Sequence, residues 1–269
     1  MGDFNHFMLA EFIKERKLEL EALIFDVDGT LADTERDGHR VAFNEAFTSH
    51  GLDWHWSVEV YGKLLEVTGG KERIQYYINQ YLENFTRDDI ETFIATLHAD
   101  KTRLYTELLA TGKIPLRPGV KRLLEDARAN NLRIAISTTT TPANVEALLV
   151  NTLGAEGMHW FEFIGAGDVV SHKKPAPDIY QLVMDKMGLQ AGQCLAFEDS
   201  FNGIQSSSRA GLRTIVTVNG YTVEHDFSDA LLVLDHFGEP DNSFTLLAGE
   251  STGGRYVDVD LLRHLHSAH

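Results

Sequence analysis

The chain has 269 residues, room for one large domain or two smaller ones, each with a core, and 43% of them are apolar in a mixed, globular-type sequence. Its net charge of -16 argues against an electrostatic grip on nucleic acid or an anionic membrane, so an anionic ligand must be met by local positive charge. Cys194 is the only cysteine, which excludes an intrachain disulfide and a cysteine-rich metal site and is consistent with a reducing compartment.

Residues 1–20 carry Phe7, Met8, Leu9, Phe12 and Ile13 at roughly helical spacing. The run is too short to span a membrane, and Asp3 and Glu11 do not suit a signal peptide. It reads as an N-terminal extension, a helix packed on the first strand. Ala22 to Phe25 then form an apolar run of the kind that fills a strand buried on both faces of a parallel sheet. If the chain stays extended through Val27, Asp26 and Asp28 point the same way, and Gly29 lets the backbone break out of the strand. Two carboxylates this close repel unless a cation sits between them or one keeps its proton. With Mg2+ bound, Asp26 suits a nucleophile toward phosphorus, and Asp28, its pKa raised, suits the group that protonates a leaving oxygen and then deprotonates water. An ordinary surface turn is the alternative reading of the same Asp-Gly.

From 34 to 116 apolar residues recur at helical intervals, as in Tyr76, Tyr77, Ile78, Leu82 and Ile90, Phe93, Ile94, Leu97. This reads as an all-helical insert over the strand ends, joined by linkers near 31–36 and 111–117, or else as a helical domain apart from the site. Within it, Gly69 and Gly70 lead into a helix start that joins free N–H groups to the cations Lys71 and Arg73, a place for a second anionic group or simply a solvated first turn. After Pro118 strand and helix signals alternate. Leu132 to Ser137, Phe161 to Ile164, Cys194 to Phe197, Thr214 to Val218 and Leu231 to Leu234 read as strands. Val120 to Ala129, Ala143 to Val150, Asp178 to Met187 and Ser200 to Ala210 read as helices. The fold class is therefore α/β, a Rossmann-like parallel sheet with helices on both faces and an inserted helical cap, its ligands beyond the carboxyl ends of the strands.

Three loops stand at those ends. Thr138 to Thr141 before Pro142 can cradle a phosphate, or cap the next helix, or both. Lys173-Lys174-Pro175-Ala176-Pro177-Asp178 aims a lysine along a rigid approach, unless the pair is a solvated loop. Glu198-Asp199-Ser200 offers hard oxygen ligands, or a helix cap. After Leu234 the signals fade, 239–254 hold turn formers, and Arg255 to His269 read as a short terminal helix or tail; His264 and His266 are two apart and would not share a helix face.

Phe25-Asp26-Val27-Asp28-Gly29-Thr30-Leu31-Ala32-Asp33-Thr34 resembles the first signature of the haloacid dehalogenase superfamily of phosphohydrolases. The resemblance implies Asp26 as nucleophile and Asp28 as acid/base. It places the second motif on Thr138, with Thr139 lending an N–H and a one-residue shift to Ser137 as the alternative, and the third, K-P-x-P-D, on Lys174, leaving Lys173 exposed. The fourth, E-D-S-x-x-G, makes Asp199 a metal ligand and Glu198 one directly or through water, so that Asp26, Asp28, Glu198 and Asp199 form the expected Mg2+ set. T-G-G-K-E-R with Asp33-Thr34-Glu35 is similar to the CbbY-type sugar-phosphate phosphatases, associated with the Calvin cycle and with bisphosphates such as xylulose 1,5-bisphosphate. That carries over Lys71 and Arg73 as substrate contacts, and Asp33 or Glu35 as polar groups at the cap entrance. His39 has a possible part in sugar recognition, against a structural histidine. The expected protein is a cytoplasmic monomer acting on a small phosphorylated sugar, with core segments 21–33 and 117–238, a cap over 34–116 and a tail over 239–269. A beta-phosphoglucomutase-like mutase and a non-catalytic phosphosugar sensor are the alternatives.

Overall fold

The computed structural model describes residues 18–250 and 253–268, so the expected N-terminal helix around Phe7 to Ile13 lies outside the described residues. Six parallel strands run β1 (Ala22–Phe25), β2 (Arg133–Ser137), β3 (Phe163–Gly165), β4 (Cys194–Glu198), β5 (Arg213–Thr217) and β6 (Leu232–Leu234). A seventh, β7 (Leu246–Gly249), pairs antiparallel with β6. The order across the sheet is β3-β2-β1-β4-β5-β6-β7. The chain thus winds one way from β1 through β2 to β3 and then returns to the other side of β1, and the crevice opened at such a reversal is where ligands bind.

Burial follows the strand alternation. Leu23 and Phe25 of β1 and Leu195 and Phe197 of β4 face one layer, with Leu123, Leu148 and Leu262. Ala22, Ile24, Cys194 and Ala196 face the other, with Ile179, Tyr180 and Val183. No position of β1 reaches solvent, which is why its sequence is apolar without alternation. Among the cap helices Arg40–Ser49, Val58–Leu64, Gly70–Tyr81 and Ile90–Ala110, a separate core gathers Phe43, Phe47, Trp54, Trp56, Tyr61 and Tyr77. The last of these helices belongs to both bodies, since its Tyr105 and Leu109 are buried in the sheet's own core.

The two linkers to the cap pair with one another: Ala32 bridges Leu116, and Arg117 N–H donates to Leu31 O at 2.9 Å. Arg117 is buried and its guanidinium donates to backbone oxygens of Gly29, Thr217, Val218 and Asp235. That one side chain fixes both linkers to the strand ends. The segment after 238 supplies β7, which is not among the expected strands, and a terminal helix, one of the two readings from Arg255 on: Val259–Ala268, whose Val259, Leu262 and Leu265 are buried in the core. The strand shows no apolar alternation, being mostly exposed, and this is why its pattern carries no strand signal.

Candidate active site

Asp26 follows β1 at once, and its N–H still donates to Phe197 O at 2.9 Å, so strand pairing carries it level with Glu198. Lys174 Nζ lies 2.7 Å from Asp26 Oδ1, 2.8 Å from Ser137 O and 2.6 Å from Glu198 Oε1. The Tyr180 hydroxyl donates to the same Glu198 oxygen at 2.5 Å. A single ammonium therefore joins the ends of β2, β1 and β4. Asp199 Oδ2 accepts from Asn219 Nδ2 at 2.7 Å. Gly29 has φ +84°, and a Cβ there would collide with the Asp199 carboxylate, so the Asp-Gly turn answers to a close approach of two loops.

Oxygens of Asp26, Glu198 and Asp199 lie within 4.8 Å of one another. Burial pushes Asp26 up to about 8 against the pull of Lys174. Burial and then the charges of Asp26 and Glu198 hold Asp199 well above the usual carboxylate range. For Lys174 burial opposes the charge, and Asp26 and Glu198 more than offset it, so its pKa is raised. Two of the three buried carboxylates, Asp26 and Glu198, share one ammonium, Asp199 has no cation in contact with it among the described residues, and Glu198 Oε2 is buried without a hydrogen-bond partner. A set of hard oxygens with this unbalanced charge fits a small divalent cation such as Mg2+.

Asp28 stands apart from this cluster, and the direction of its pKa shift differs from expectation, being downward. Oδ1 accepts from the Thr34 hydroxyl at 2.6 Å and faces His39 Nε2 at 2.8 Å, while Lys101 Nζ lies 2.7 Å from His39 Nδ1. An ammonium only donates, so Nδ1 accepts and the ring proton sits on Nε2, pointing at Asp28. Burial opposes the charge on Asp28, but His39, Thr34 and Lys101 outweigh it and hold the carboxyl at about 2. Partners from the cap side, invisible from strand alternation, therefore correct the raised pKa expected of Asp28 and turn its carboxylate toward Thr34 and His39. His39, stacked on Tyr105, is a buried partner of Asp28, and Lys101 was not anticipated. The two lie 62 residues apart, so no motif joins them and only helix packing brings them together.

A cleft of about 510 Å³ opens between cap and core, lined among others by Asp26, Asp28, Glu35, Arg73, Thr138 and Thr139. The Thr138 N–H is taken by Gly165 O at 2.9 Å, and its hydroxyl accepts from Thr140 N–H at 3.3 Å while the residue lines the cleft. Of the two acids expected at the cap entrance, Glu35 is there: its Oε2 accepts from Tyr61 OH at 2.5 Å, and Arg73 Nη1 donates to that hydroxyl at 2.8 Å. Asp33 is not; it is turned to Arg117 Nε, 3.3 Å away. Beside the cleft is a recess of about 120 Å³ whose lining includes Lys71, Arg73, Lys101, His98, Thr140 and Asn144. Gly69 borders both spaces and Gly70 only the recess. Thr141 precedes Pro142 without capping the helix Pro142–Leu153; its hydroxyl and Asn144 Oδ1 are buried without hydrogen-bond partners. Lys173, expected to be exposed, is 15% exposed and ion-paired to Glu72 of the cap.

A doubly wound sheet that gathers two aspartates, a hydroxyl, a lysine and two further acids at its switch point, under a helical cap, defines a capped, aspartate-centred phosphohydrolase. Comparison with known proteins agrees. The family of haloacid dehalogenase-like hydrolases matches residues 20–211. Protein CbbY (plasmid) of Cupriavidus necator is 48% identical over 248 residues, covering 92% of this chain and 97% of that protein. The crystal structure of CbbY from Rhodobacter sphaeroides with phosphate, 42% identical, superposes with a TM-score of 0.76 over 81% of this chain and 94% of that one. A structure of a variant of that protein holds xylulose-(1,5)bisphosphate, with the same identity, coverage and TM-score. The chain belongs to the haloacid dehalogenase-like hydrolases, as a phosphatase of CbbY type.

Proposed function

We propose that the chain is a Mg2+-dependent phosphatase that hydrolyses a sugar bisphosphate, such as xylulose 1,5-bisphosphate, through a phosphoryl ester on Asp26. The observation that carries this reading is the ammonium of Lys174 held between Asp26 and Glu198, with Asp199 converging on the same point. Asp26, Glu198 and Asp199 would hold the divalent ion, whose charge would offset the repulsion between carboxylates and phosphate.

The chain's own groups account for the steps. Lys174 and the Thr138 hydroxyl orient the phosphoryl group, and an Asp26 oxygen attacks phosphorus as the bond to the sugar oxygen breaks. A phosphate dianion beside Asp28 raises its pKa from the low value of the free protein, so it takes a proton and passes it to the departing sugar oxygen. Asp28, again a carboxylate, then removes a proton from water, whose oxygen attacks the same phosphorus and restores Asp26 as the carboxylate. Glu35 reads sugar hydroxyls, and the second phosphate sits in the basic recess on Lys71, Arg73 and the unpartnered Thr141 hydroxyl.

Release of inorganic phosphate from pentose bisphosphates and from a small aryl phosphate, with and without Mg2+, tests the reading. Asp26→Asn is expected to lower turnover of both by at least about 10³-fold. No turnover in either protein would return the choice to a phosphosugar sensor, and equal turnover in wild type and Asp26→Asn would remove Asp26 as the nucleophile. Transfer of phosphate to a second sugar, with activation by a bisphosphate and little free phosphate, would return it to a mutase.

A further inference from the structure

Lys173 neighbours the lysine that holds Asp26, yet its Nζ reaches away from that site. It donates to Glu72 Oε1 at 2.6 Å and lies 2.9 Å from Asp168 Oδ1. Asp168 Oδ2 in turn accepts from Lys71 Nζ at 2.5 Å. Asp168 and Lys173 lie on the core, in the loop after β3, whereas Lys71 and Glu72 form the first turn of the cap helix Gly70–Tyr81. Cap and core each offer one cation and one anion, and the two pairs cross between bodies. Sliding the helix by one residue would bring like charges together, so the arrangement selects a register as well as an attraction. At the other end of the same strap, core Asn202 Nδ2 donates to Glu66 O and to Thr68 Oγ1, both at 3.1 Å. Residues 66–72 are thus tied down at both ends.

We propose that Lys71, Glu72, Asp168 and Lys173 form a latch that holds the cap on the core in one register before substrate arrives, making Lys173 and Glu72 positioning residues. Glu72 lies between Lys71 and Arg73 in the chain, so the latch also sets where the recess cations stand. Asp168 is the shared member, and hydrogen bonds from Lys71 and Lys173 hold its carboxyl at about 2, charged throughout the working range. Each pair alone is partly exposed and weak, but an equilibrium between open and closed cap responds to their sum. The latch itself follows from these contacts; only its effect on substrate choice rests on the bisphosphate reading above.

The test is a charge swap in the full-length protein: Lys173→Glu, Glu72→Lys and the double variant, with Lys173→Met as a neutral control that adds no repulsion. Hydrogen exchange of amides in 66–81 is expected to quicken about tenfold in each single charge reversal and less in Lys173→Met, and to return toward wild type in the double variant. KM for a pentose bisphosphate should rise about tenfold in the single variants and recover in the double, while kcat on an aryl phosphate stays within about twofold. Exchange that stays unchanged in all single variants, or a double variant no better than its parents, overturns the latch. Exchange that responds while KM for the bisphosphate does not supports the latch and removes the bisphosphate reading instead.

Discussion

Lys101 shows how much one side chain can settle at a distance from the reacting atoms. It is buried over the rings of Phe43 and Tyr105 and fixes the tautomer through which His39 addresses Asp28. Lys101→Met is expected to lower kcat on an aryl phosphate roughly 10- to 100-fold, with KM within about threefold, because the acid/base group loses its orientation while the phosphate contacts remain. Its pKa offers a separate check. Burial lowers it from 10.5 to about 8, Asp28 and Glu35 opposing. Below about 8 the folded protein bears the cost of a buried charge; between about 8 and 10.5 the unfolded chain keeps the proton that the folded protein has released, so this group's contribution to stability rises with pH across that window. Urea midpoints of wild type relative to Lys101→Met should therefore climb between pH 8 and 10.5, and a flat difference would show that the amine does not titrate there.

At the scale of elements, the helix Val259–Ala268 closes the layer that also holds Leu123 and Leu148, and Leu262 within it has no exposed surface. An appended tail would tolerate truncation of that side chain. A core element does not: Leu262→Ala is expected to cost about 2–4 kcal/mol, read from urea denaturation, by loss of buried surface and the cavity left behind. The amphipathic pattern of Val259, Leu262 and Leu265 is legible in the chain, but it says only that one face is apolar. Which surface that face covers depends on β5 and β6 standing beyond β4, a consequence of the winding order.

For the whole molecule, the proposed metal set would couple site to fold. Asp26 comes from the end of β1, and Glu198 and Asp199 from the end of β4, with Arg117 and Asn219 tying in the cap linkers and the loop after β5. A divalent ion bound there holds only when those segments are assembled, so it stabilises the folded state by mass action. Mg2+ at millimolar concentration is expected to raise the thermal midpoint by about 5 °C, and Asp199→Asn to abolish the rise; an equal rise in both proteins would place the ion elsewhere. That readout is independent of turnover.

The sheet, its helices and the four motif loops were legible in the chain, because burial on two faces demands uninterrupted apolar strands and because groups that meet at strand ends must follow those strands in sequence. The loops that carry Asp26, Thr138, Lys174, Glu198 and Asp199 could be placed for that reason, while the choice of residue within each loop came from the resemblance to the superfamily's motifs. Tertiary structure alone decided the rest: that Asp28 faces His39 and Lys101, that Glu35 and not Asp33 looks into the cleft, that Lys173 reaches the cap, and that residues beyond 238 complete the sheet. Each of these depends on a contact between segments far apart in the chain, where periodicity reports which face is apolar but not what lies opposite it.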